Sequence, residues 1–311
     1  MRYSLIAASG LLVSAYGHGL VTNIKGANGV VMPGLSVADG TPRDCSSNRC
    51  GSQADTAIIR DREIASGKAS ALGRTQGNGP IDAAVMIQSF MGTGATAPTN
   101  NGSAAGTGVE DDIPGNVAKK STFPRALSDL LSGLTGGLTG GRNGGNTAKT
   151  GKGSKTETPE ETSVAATAGQ GSTSGLPTCA DDGSITMTFR QINQDGAGPI
   201  EAAVDGTSGG TDPDAFKTAE VTQDVPGLGF LGLSTATNTD FPLTVQMPEG
   251  MTCDATVGDA QNVCIVRVRN QAIAGPFGGS AAFTQSPAAR KRAIAYRLKK
   301  RNSAGQNRRS R

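Results

Sequence analysis

The sequence of 311 residues contains no tryptophan, a single histidine and only 4% aromatic residues. One histidine, His18, is too few for most structural zinc sites, which combine several His and Cys ligands. There is no G-x-S-x-G motif, and a histidine so near the start does not suit a Ser–His–Asp triad. No carboxylate pair stands out among the 26 acidic residues as a glycosidase pair. The residues therefore give no complete catalytic constellation, and whether the protein is an enzyme is left open.

Long apolar runs are also scarce. The run near the start, Leu5 to Val13, is followed by small residues up to Gly17, which is the pattern of a signal peptide over residues 1–17. No segment reaches the roughly 18–20 apolar residues of a membrane span. We therefore expect a secreted, extracellular protein with no membrane span. Asn101, in an Asn-Gly-Ser sequon, is a glycosylation candidate.

Glycine and proline, by contrast, are abundant, at 45 and 15 residues, and disfavour a mainly helical protein. Apolar and polar residues alternate with the period of a half-buried strand at 185–189, 243–247 and 264–268. The fold class predicted is mainly β, an antiparallel β-sandwich core with long loops. Its first part spans residues 18–127 and its second part residues 179–287.

Two further regions have the composition of disordered chain. Residues 128–178 contain a repeated L-T-G-G unit and few large apolar residues, which predicts a low-complexity flexible insertion rich in Gly, Thr and Ser. Residues 288–311 hold ten of the 29 basic residues and no acid, which predicts a disordered basic tail; a short helix over residues 293–298 is compatible with the sequence. Two interpretations of this tail are open: it is removed by proteolytic processing, or it binds acidic polymers and the protein is an adhesin.

The chain between the predicted signal peptide and the basic tail has an excess of acidic residues. Without the tail and Arg2, residues 18–287 carry 18 basic and 26 acidic side chains, a net charge of −8. A negative core disfavours nucleic-acid binding. The most charged stretch, R-D-R-E at 60–63, is interpreted as an ion-pair network that pins the first segment to the sandwich.

The five cysteines should be largely oxidised in a secreted protein. Their spacing favours the pairs Cys45–Cys50 and Cys253–Cys264, with Cys179 unpaired. Other pairings are equally compatible with the sequence.

His18 would be the first residue after signal-peptide cleavage. Its α-amine and ring Nδ1 can chelate one metal ion, and such planar nitrogen ligands favour Cu(II). This arrangement resembles the copper brace of lytic polysaccharide monooxygenases, whose second histidine is missing here; Asp44, Asp61 and Asp82 are candidate replacements. The resemblance also implies an aromatic residue on the axial side of the metal, for which Phe283 is the candidate. If the protein is an enzyme, this resemblance implies a copper-dependent polysaccharide monooxygenase. The simpler interpretation is that His18 is an ordinary first residue, either packed against the sheet or left in solvent.

A second resemblance rests on longer strings that occur in order along the chain. They are HGLV (18–21), GANG (26–29), DGTPRDC (39–45), RDREI (60–64), GRTQGNGP (73–80), QINQDGAGP (191–199) and AGPFGG (274–279). With these strings the chain resembles the Egh-type, or Gas/Mas-type, family of fungal virulence factors associated with the appressorium. The resemblance implies a secreted protein that contributes to host penetration. We interpret it as acting by binding a fungal or host cell-wall polysaccharide or surface component, with copper binding as the alternative.

Overall fold

The computed structural model describes residues 18–46, 50–100, 149–156, 158–194, 196–227, 234, 236–272 and 275–309. Fourteen strands are present in this part of the chain. They are β1 Gly19–Lys25, β2 Val31–Pro33, β3 Ala57–Ile58, β4 Arg74–Thr75, β5 Gly79–Pro80, β6 Lys149–Thr150, β7 Ser154–Lys155, β8 Ser184–Gln191, β9 Glu201–Asp205, β10 Lys217–Asp224, β11 Thr239–Gln246, β12 Ala255–Val257, β13 Ala260–Arg269 and β14 Phe277–Thr284. The predicted signal peptide and Asn101 lie outside the described residues.

The strands form one curled sheet in the order β2-β1-β8-β11-β10-β9-β13-β14-β3-β4-β5. The strand pairs on this path are antiparallel. Strand β10 connects the two halves, since its end pairs with β11 and its beginning with β9. Apolar residues of both halves belong to one buried cluster. The prediction of a mainly β, antiparallel, sandwich-like core is confirmed.

The three alternating segments found in the sequence are the long strands β8, β11 and β13. In β11, every second residue from Thr239 to Val245 is buried and the residues between them are half-buried. This is the burial expected when successive side chains point to opposite faces of a sheet. The pattern therefore identified both the strand and its inward face.

The α-helices of the described residues are α1 Asp61–Ala65, α2 Ala83–Met91, α3 Ser163–Thr167, α4 Gly171–Ser174 and α5 Pro287–Arg309, and Pro213–Ala215 forms a 3₁₀ turn. Helix α2 begins at Asp82, whose carboxylate accepts a hydrogen bond from the Ala84 N–H at 2.9 Å. It ends at Gly92, whose φ of 76° lies in the left-handed region that glycine favours. None of the helices in the described ranges is long and apolar enough to cross a membrane.

Part of the predicted insertion, residues 128–178, has a different structure from the one expected. Residues 128–148 lie outside the described residues, but residues 158–178 contain α3 and α4. Val164 and Leu176 are buried in the core, and Glu161 accepts a hydrogen bond from Arg43 Nε at 2.9 Å. Isolated apolar side chains, an ion pair and several hydrogen bonds, such as those from the Val164 and Ala165 N–H groups to Asp39, attach this segment, and none of them produces a periodic signal in the sequence.

The basic C-terminal region also differs from its prediction, because α5 extends over most of the predicted disordered tail. Ser286 starts the helix by accepting a hydrogen bond from the Ala289 N–H at 3.1 Å. Ala289 and Ala293 are buried, and Arg290 pairs with Asp254 at 2.9 Å. The helix follows from the strong helix propensity of its Ala, Arg, Lys and Leu residues.

Disulfides join Cys45 to Cys50 and Cys253 to Cys264, which confirms the pairing that the spacing favours. Cys179 is a buried free thiol, and burial raises its pKa. A buried thiol with a raised pKa is a poor nucleophile, and the residue fits the core as a small apolar side chain.

Candidate functional site

His18 lies at the start of β1 and is only 1% exposed. Its backbone N–H donates to Asn193 Oδ1 at 2.6 Å, and its carbonyl accepts from the Ile192 N–H at 2.9 Å. Gly196 comes so close that a Cβ atom there would lie 2.1 Å from the His18 carbonyl oxygen. The loop that follows β8 therefore covers the backbone of His18.

The imidazole of His18 packs on Phe277, with 4.3 Å between the ring centroids. Phe277 is fully buried, and its backbone N–H donates to the side chain of Asn270 at 3.0 Å. Two of the strings shared with the virulence-factor family, around residues 193 and 277, thus meet at His18. We call this region, with the neighbouring charge network described next, the histidine end.

A buried charge network continues the histidine end. Arg60 Nη1 donates to Glu63 at 2.8 Å and Arg74 Nε donates to Glu63 at 2.8 Å, and all three side chains are less than 10% exposed. Arg60 also donates to the Gly275 carbonyl at 3.0 Å, which joins the first segment to the loop before β14. Burial opposes ionisation of Glu63, but the bonds from Arg74 and Arg60 outweigh it and lower its pKa.

This network confirms the structural interpretation of the R-D-R-E stretch for three of its four residues. Asp61 contributes by accepting from Arg269 Nη1 at 2.6 Å, whereas Arg62 is exposed. The charges hold α1 and the loop before β14 in place.

Two of the three aspartates proposed as copper ligands have other partners. Asp61 pairs with Arg269 and Asp82 caps α2, while Asp44 is exposed. Phe283 is buried six residues further along β14 than Phe277, about 20 Å away at the rise of a β-strand. The aromatic ring at His18 is therefore that of Phe277.

These surroundings do not fit an open copper brace. A brace needs the α-amine nitrogen and ring Nδ1 of His18 turned toward an accessible ion, whereas the imidazole is buried against Phe277 and the loop after β8 covers the backbone. Within the described ranges, no group of three or more His, Cys, Asp or Glu residues is placed to hold a metal ion. Copper binding at His18 stays a prediction.

A large open cavity of about 920 Å³ lies where β10 passes between the two halves of the sheet. This volume is at the upper end of the range of about 300–1,000 Å³ for ligand sites. We call it the β10 groove. It is lined by Thr150, Pro199, Ile200, Glu201, Ala202, Ala203, Pro213, Phe216, Thr218, Ala219, Val221, Asp224, Val225, Gly227, Arg267 and Arg269.

Strand register explains the shape of the β10 groove. Ala203 of β9 is paired with Thr218 of β10 on one side and with Arg267 of β13 on the other. Because Ala203 has only a methyl group, the side chain of Arg267 can extend across it. The Arg267 guanidinium carbon lies 4.3 Å from the ring centroid of Phe216, which precedes β10.

Charge compensation differs between the two arginines of the β10 groove. Arg269 pairs with Asp61 at 2.6 Å and with Glu201 at 3.3 Å. Arg267 donates to the Ala71 carbonyl, and among the described residues it has no carboxylate partner. Burial, together with the nearby charge of Arg269, outweighs the opposing charge of Asp61 and lowers the pKa of Arg267 to about 10, so the side chain remains a cation at neutral pH.

The carboxyl group of Asp224 also lines the groove and is partly buried. It accepts hydrogen bonds from the backbone N–H groups of Ile200 and Val225 at 3.1 and 2.7 Å. Burial outweighs these bonds and raises its pKa. Asp224 therefore carries less negative charge in mildly acidic solution than an exposed aspartate.

Sequence reasoning did not identify the groove. Arg267 and Arg269 belong to the alternating strand β13, where both are half-buried, and the sequence alone gives them no role. Phe216 and Ala203 lie in no motif. Their meeting with Arg267 depends on the pairing of three strands that are distant in sequence, and no local pattern encodes that pairing.

Comparison with known proteins identifies the family. A profile of the Egh16-like virulence factors matches residues 16–278. The chain belongs to this family. It is 52% identical to appressoria-specific virulence factor GAS2 of Pyricularia oryzae over 98% of this chain and 96% of that protein. It is 38% identical to appressoria-specific virulence factor GAS1 of the same fungus over 41% of this chain and 51% of that protein. No solved structure matches significantly.

The part that matches the Egh16-like profile includes the histidine end and every lining residue of the β10 groove. It excludes helix α5. Both regions are thus available to a function common to Egh16-like proteins, whereas the basic helix lies outside the matched region.

Proposed function

We propose that this Egh16-like protein is a secreted virulence factor of the appressorium that contributes to host penetration by binding a cell-wall or surface polysaccharide in the β10 groove. The names of its relatives support the role in virulence. Its two disulfides are compatible with secretion. The observation that carries the binding role is the groove itself, an open cavity of about 920 Å³ with an exposed threonine, an aromatic ring and a cation on its lining.

The composition of the groove suits a polysaccharide segment. Pro199, Pro213 and Phe216 offer apolar surface for the C–H faces of sugar rings, while Thr150 and Thr218 offer hydroxyl groups. Sites that bind small ligands combine an apolar lining with a few placed polar groups in this way.

A binding assay on insoluble wall material tests this proposal. Purified protein is mixed with fungal or plant wall preparations, and the bound fraction is measured against concentration. The matched variant is Ala203→Leu. It places a larger side chain at a partly exposed strand position on the floor of the groove and so fills part of the cavity. We expect saturable binding by the natural protein and a loss of at least tenfold for Ala203→Leu. Absence of binding, or equal binding by the variant, would overturn the proposal.

Helix α5 provides the competing explanation, since its exposed lysines and arginines attract polyanions through charge alone. Truncation after Ala293 removes most of these charges and keeps the buried Ala289, Ala293 and the Arg290–Asp254 pair. The groove proposal predicts that the truncated protein keeps most of its wall binding. If truncation abolishes binding while Ala203→Leu does not, the protein is instead an adhesin that uses its basic helix.

Soluble products distinguish binding from turnover. The same incubations are analysed for released reducing or oxidised sugars, because a protein that acts only by binding releases none. Saturable release that depends on protein concentration would contradict the binding role. Sequencing of the secreted protein, which is expected to begin at His18, checks the predicted cleavage after Gly17.

A further inference from the structure

We propose that the β10 groove recognises an acidic polysaccharide, with the carboxylate of a uronic acid residue bound by Arg267. This inference rests on the proposed binding function of the groove and adds the chemical class of its ligand. It starts from the position of Arg267, because the lining as a whole is balanced, with Glu201 and Asp224 against Arg267 and Arg269.

Arg267 itself forms no ion pair among the described residues. Glu201 and Asp61 both pair with Arg269, and Asp61 acts on Arg267 only from a distance, through its charge. A guanidinium withdrawn from water without an ionic partner is destabilising, and proteins rarely keep one unless it is paired or functional. An anionic ligand would supply the missing partner.

The orientation of Arg267 also favours a carboxylate. The guanidinium lies over the face of Phe216, and the Ala71 carbonyl accepts from Nη1. Stacking and this single bond fix the plane of the group while other N–H donors remain for a ligand. A planar guanidinium binds a carboxylate through two parallel hydrogen bonds.

The rest of the lining discriminates between ligands of the same charge. A free carboxylate or phosphate needs little more than the cation, whereas the lining continues over Pro199, Phe216 and Thr218 along an open cavity. Apolar surface interspersed with hydroxyl groups matches a sugar chain, and Arg267 matches a carboxylate on one of its residues. We therefore assign the groove to an oligomer of uronic acids.

The direct test compares two ligands on the unaltered protein. Affinity is measured by calorimetry for oligogalacturonate of about four to six residues and for the same oligomer fully methyl-esterified. The ester has the same sugar backbone and no negative charge. We expect the acid to bind at least tenfold more tightly, the minimum for a charge-assisted hydrogen bond.

Two variants locate the contact. Arg267→Gln should lower the affinity for the acid at least tenfold and leave the affinity for the ester unchanged. Lys217→Gln removes the same charge from a neighbouring exposed position that does not line the groove, and should change neither affinity. Melting curves confirm that each variant is folded. If Arg267→Gln does not fold, the comparison of acid and ester on the unaltered protein still decides whether the protein selects the charged oligomer.

Three results would overturn the inference: equal affinity for acid and ester, an unchanged affinity in Arg267→Gln, or equal losses in Arg267→Gln and Lys217→Gln. They differ from failure of the proposed function. If the ester binds as well as the acid and Ala203→Leu blocks both, the groove is a polysaccharide site without charge selection. If neither oligomer binds and wall binding is also absent, both proposals fail.

Discussion

The histidine end and the β10 groove both contain arginines withdrawn from water, but the two regions differ in whether those arginines form ion pairs. At the histidine end, Arg60 and Arg74 share the carboxylate of Glu63. In the groove, Arg267 lies over an aromatic ring and, within the described part of the chain, has no carboxylate partner. The first region satisfies its charges internally, and the second retains an unsatisfied one beside an open cavity.

This contrast separates stability from function. Paired charges and the covered backbone of His18 hold loops of the first and second halves of the sandwich together, so residues there should matter for folding. An unpaired cation costs stability and is retained where a ligand needs it. Each of the following measurements perturbs one side of this contrast, beginning with the largest expected effect.

Replacement of Glu63 should destabilise the protein most. Glu63→Gln leaves Arg60 and Arg74 buried without their shared anion, and breaking a buried ion pair from one side costs about 3–5 kcal/mol. Chemical denaturation followed by circular dichroism measures the free energy of unfolding. Asp61→Asn is the control: its carboxylate is 78% exposed where it pairs with Arg269, so its loss should cost less than about 1 kcal/mol. Equal losses for both variants would contradict a structural role for the buried network.

Stability should also depend on pH through Glu63. Its pKa is lower in the folded protein than its ordinary value of 4.5, so the folded state binds the proton less readily than the unfolded state. The stabilisation is present above pH 4.5 and is lost as pH falls through the folded pKa. The difference in unfolding free energy between natural protein and Glu63→Gln should therefore shrink on acidification. A difference that is constant down to pH 3 would exclude this linkage.

Neutralisation of Arg267 should have the opposite sign. Arg267→Met removes a partly buried cation that forms no ion pair among the described residues, and keeps an apolar stem over Phe216. We expect the free energy of unfolding to stay within about 1 kcal/mol of the natural value or to rise. A loss of more than about 2 kcal/mol in thermal or chemical denaturation would show that Arg267 is a structural residue, and would remove the contrast.

The smallest effect is expected for copper, which should bind weakly at His18. The burial of His18 against Phe277 predicts micromolar or weaker affinity for Cu(II) in a titration of the protein that begins at His18. A variant with one alanine added before His18 cannot form the chelate and is the control. Sub-micromolar affinity that this addition abolishes would show that His18 leaves its buried position and would restore the copper interpretation.

The parts of the molecule that were predictable are those with local signals. Period-two alternation gave β8, β11 and β13, and spacing favoured the two disulfides that form. The charge density of the R-D-R-E stretch indicated its network. Helix α5 was assigned to disordered chain because its net charge outweighed its helix propensity in the sequence, whereas in the fold two buried alanines and the Arg290–Asp254 pair attach it.

The site was less predictable than the fold. His18 attracted attention because it is the only histidine and follows the predicted cleavage site, yet its contacts are those of a packed residue. Arg267, Ala203 and Thr218 are unremarkable in sequence and become a site only when β13, β9 and β10 pair. Strand pairing over long sequence separations depends on the whole core, so the register that builds the groove cannot be derived from any one segment.

Wall binding by two variants, His18→Ala and Arg267→Met, tests the central claim most directly. Both are compared with the natural protein at a temperature where circular dichroism shows all three folded. The account predicts that His18→Ala loses about 1–3 kcal/mol of stability and keeps its wall binding, because its side chain packs on Phe277 and does not line the groove. Arg267→Met is predicted to keep its stability and to lose at least 90% of its binding, a tenfold change. The reverse pattern, with binding lost in His18→Ala and kept in Arg267→Met, would contradict the account.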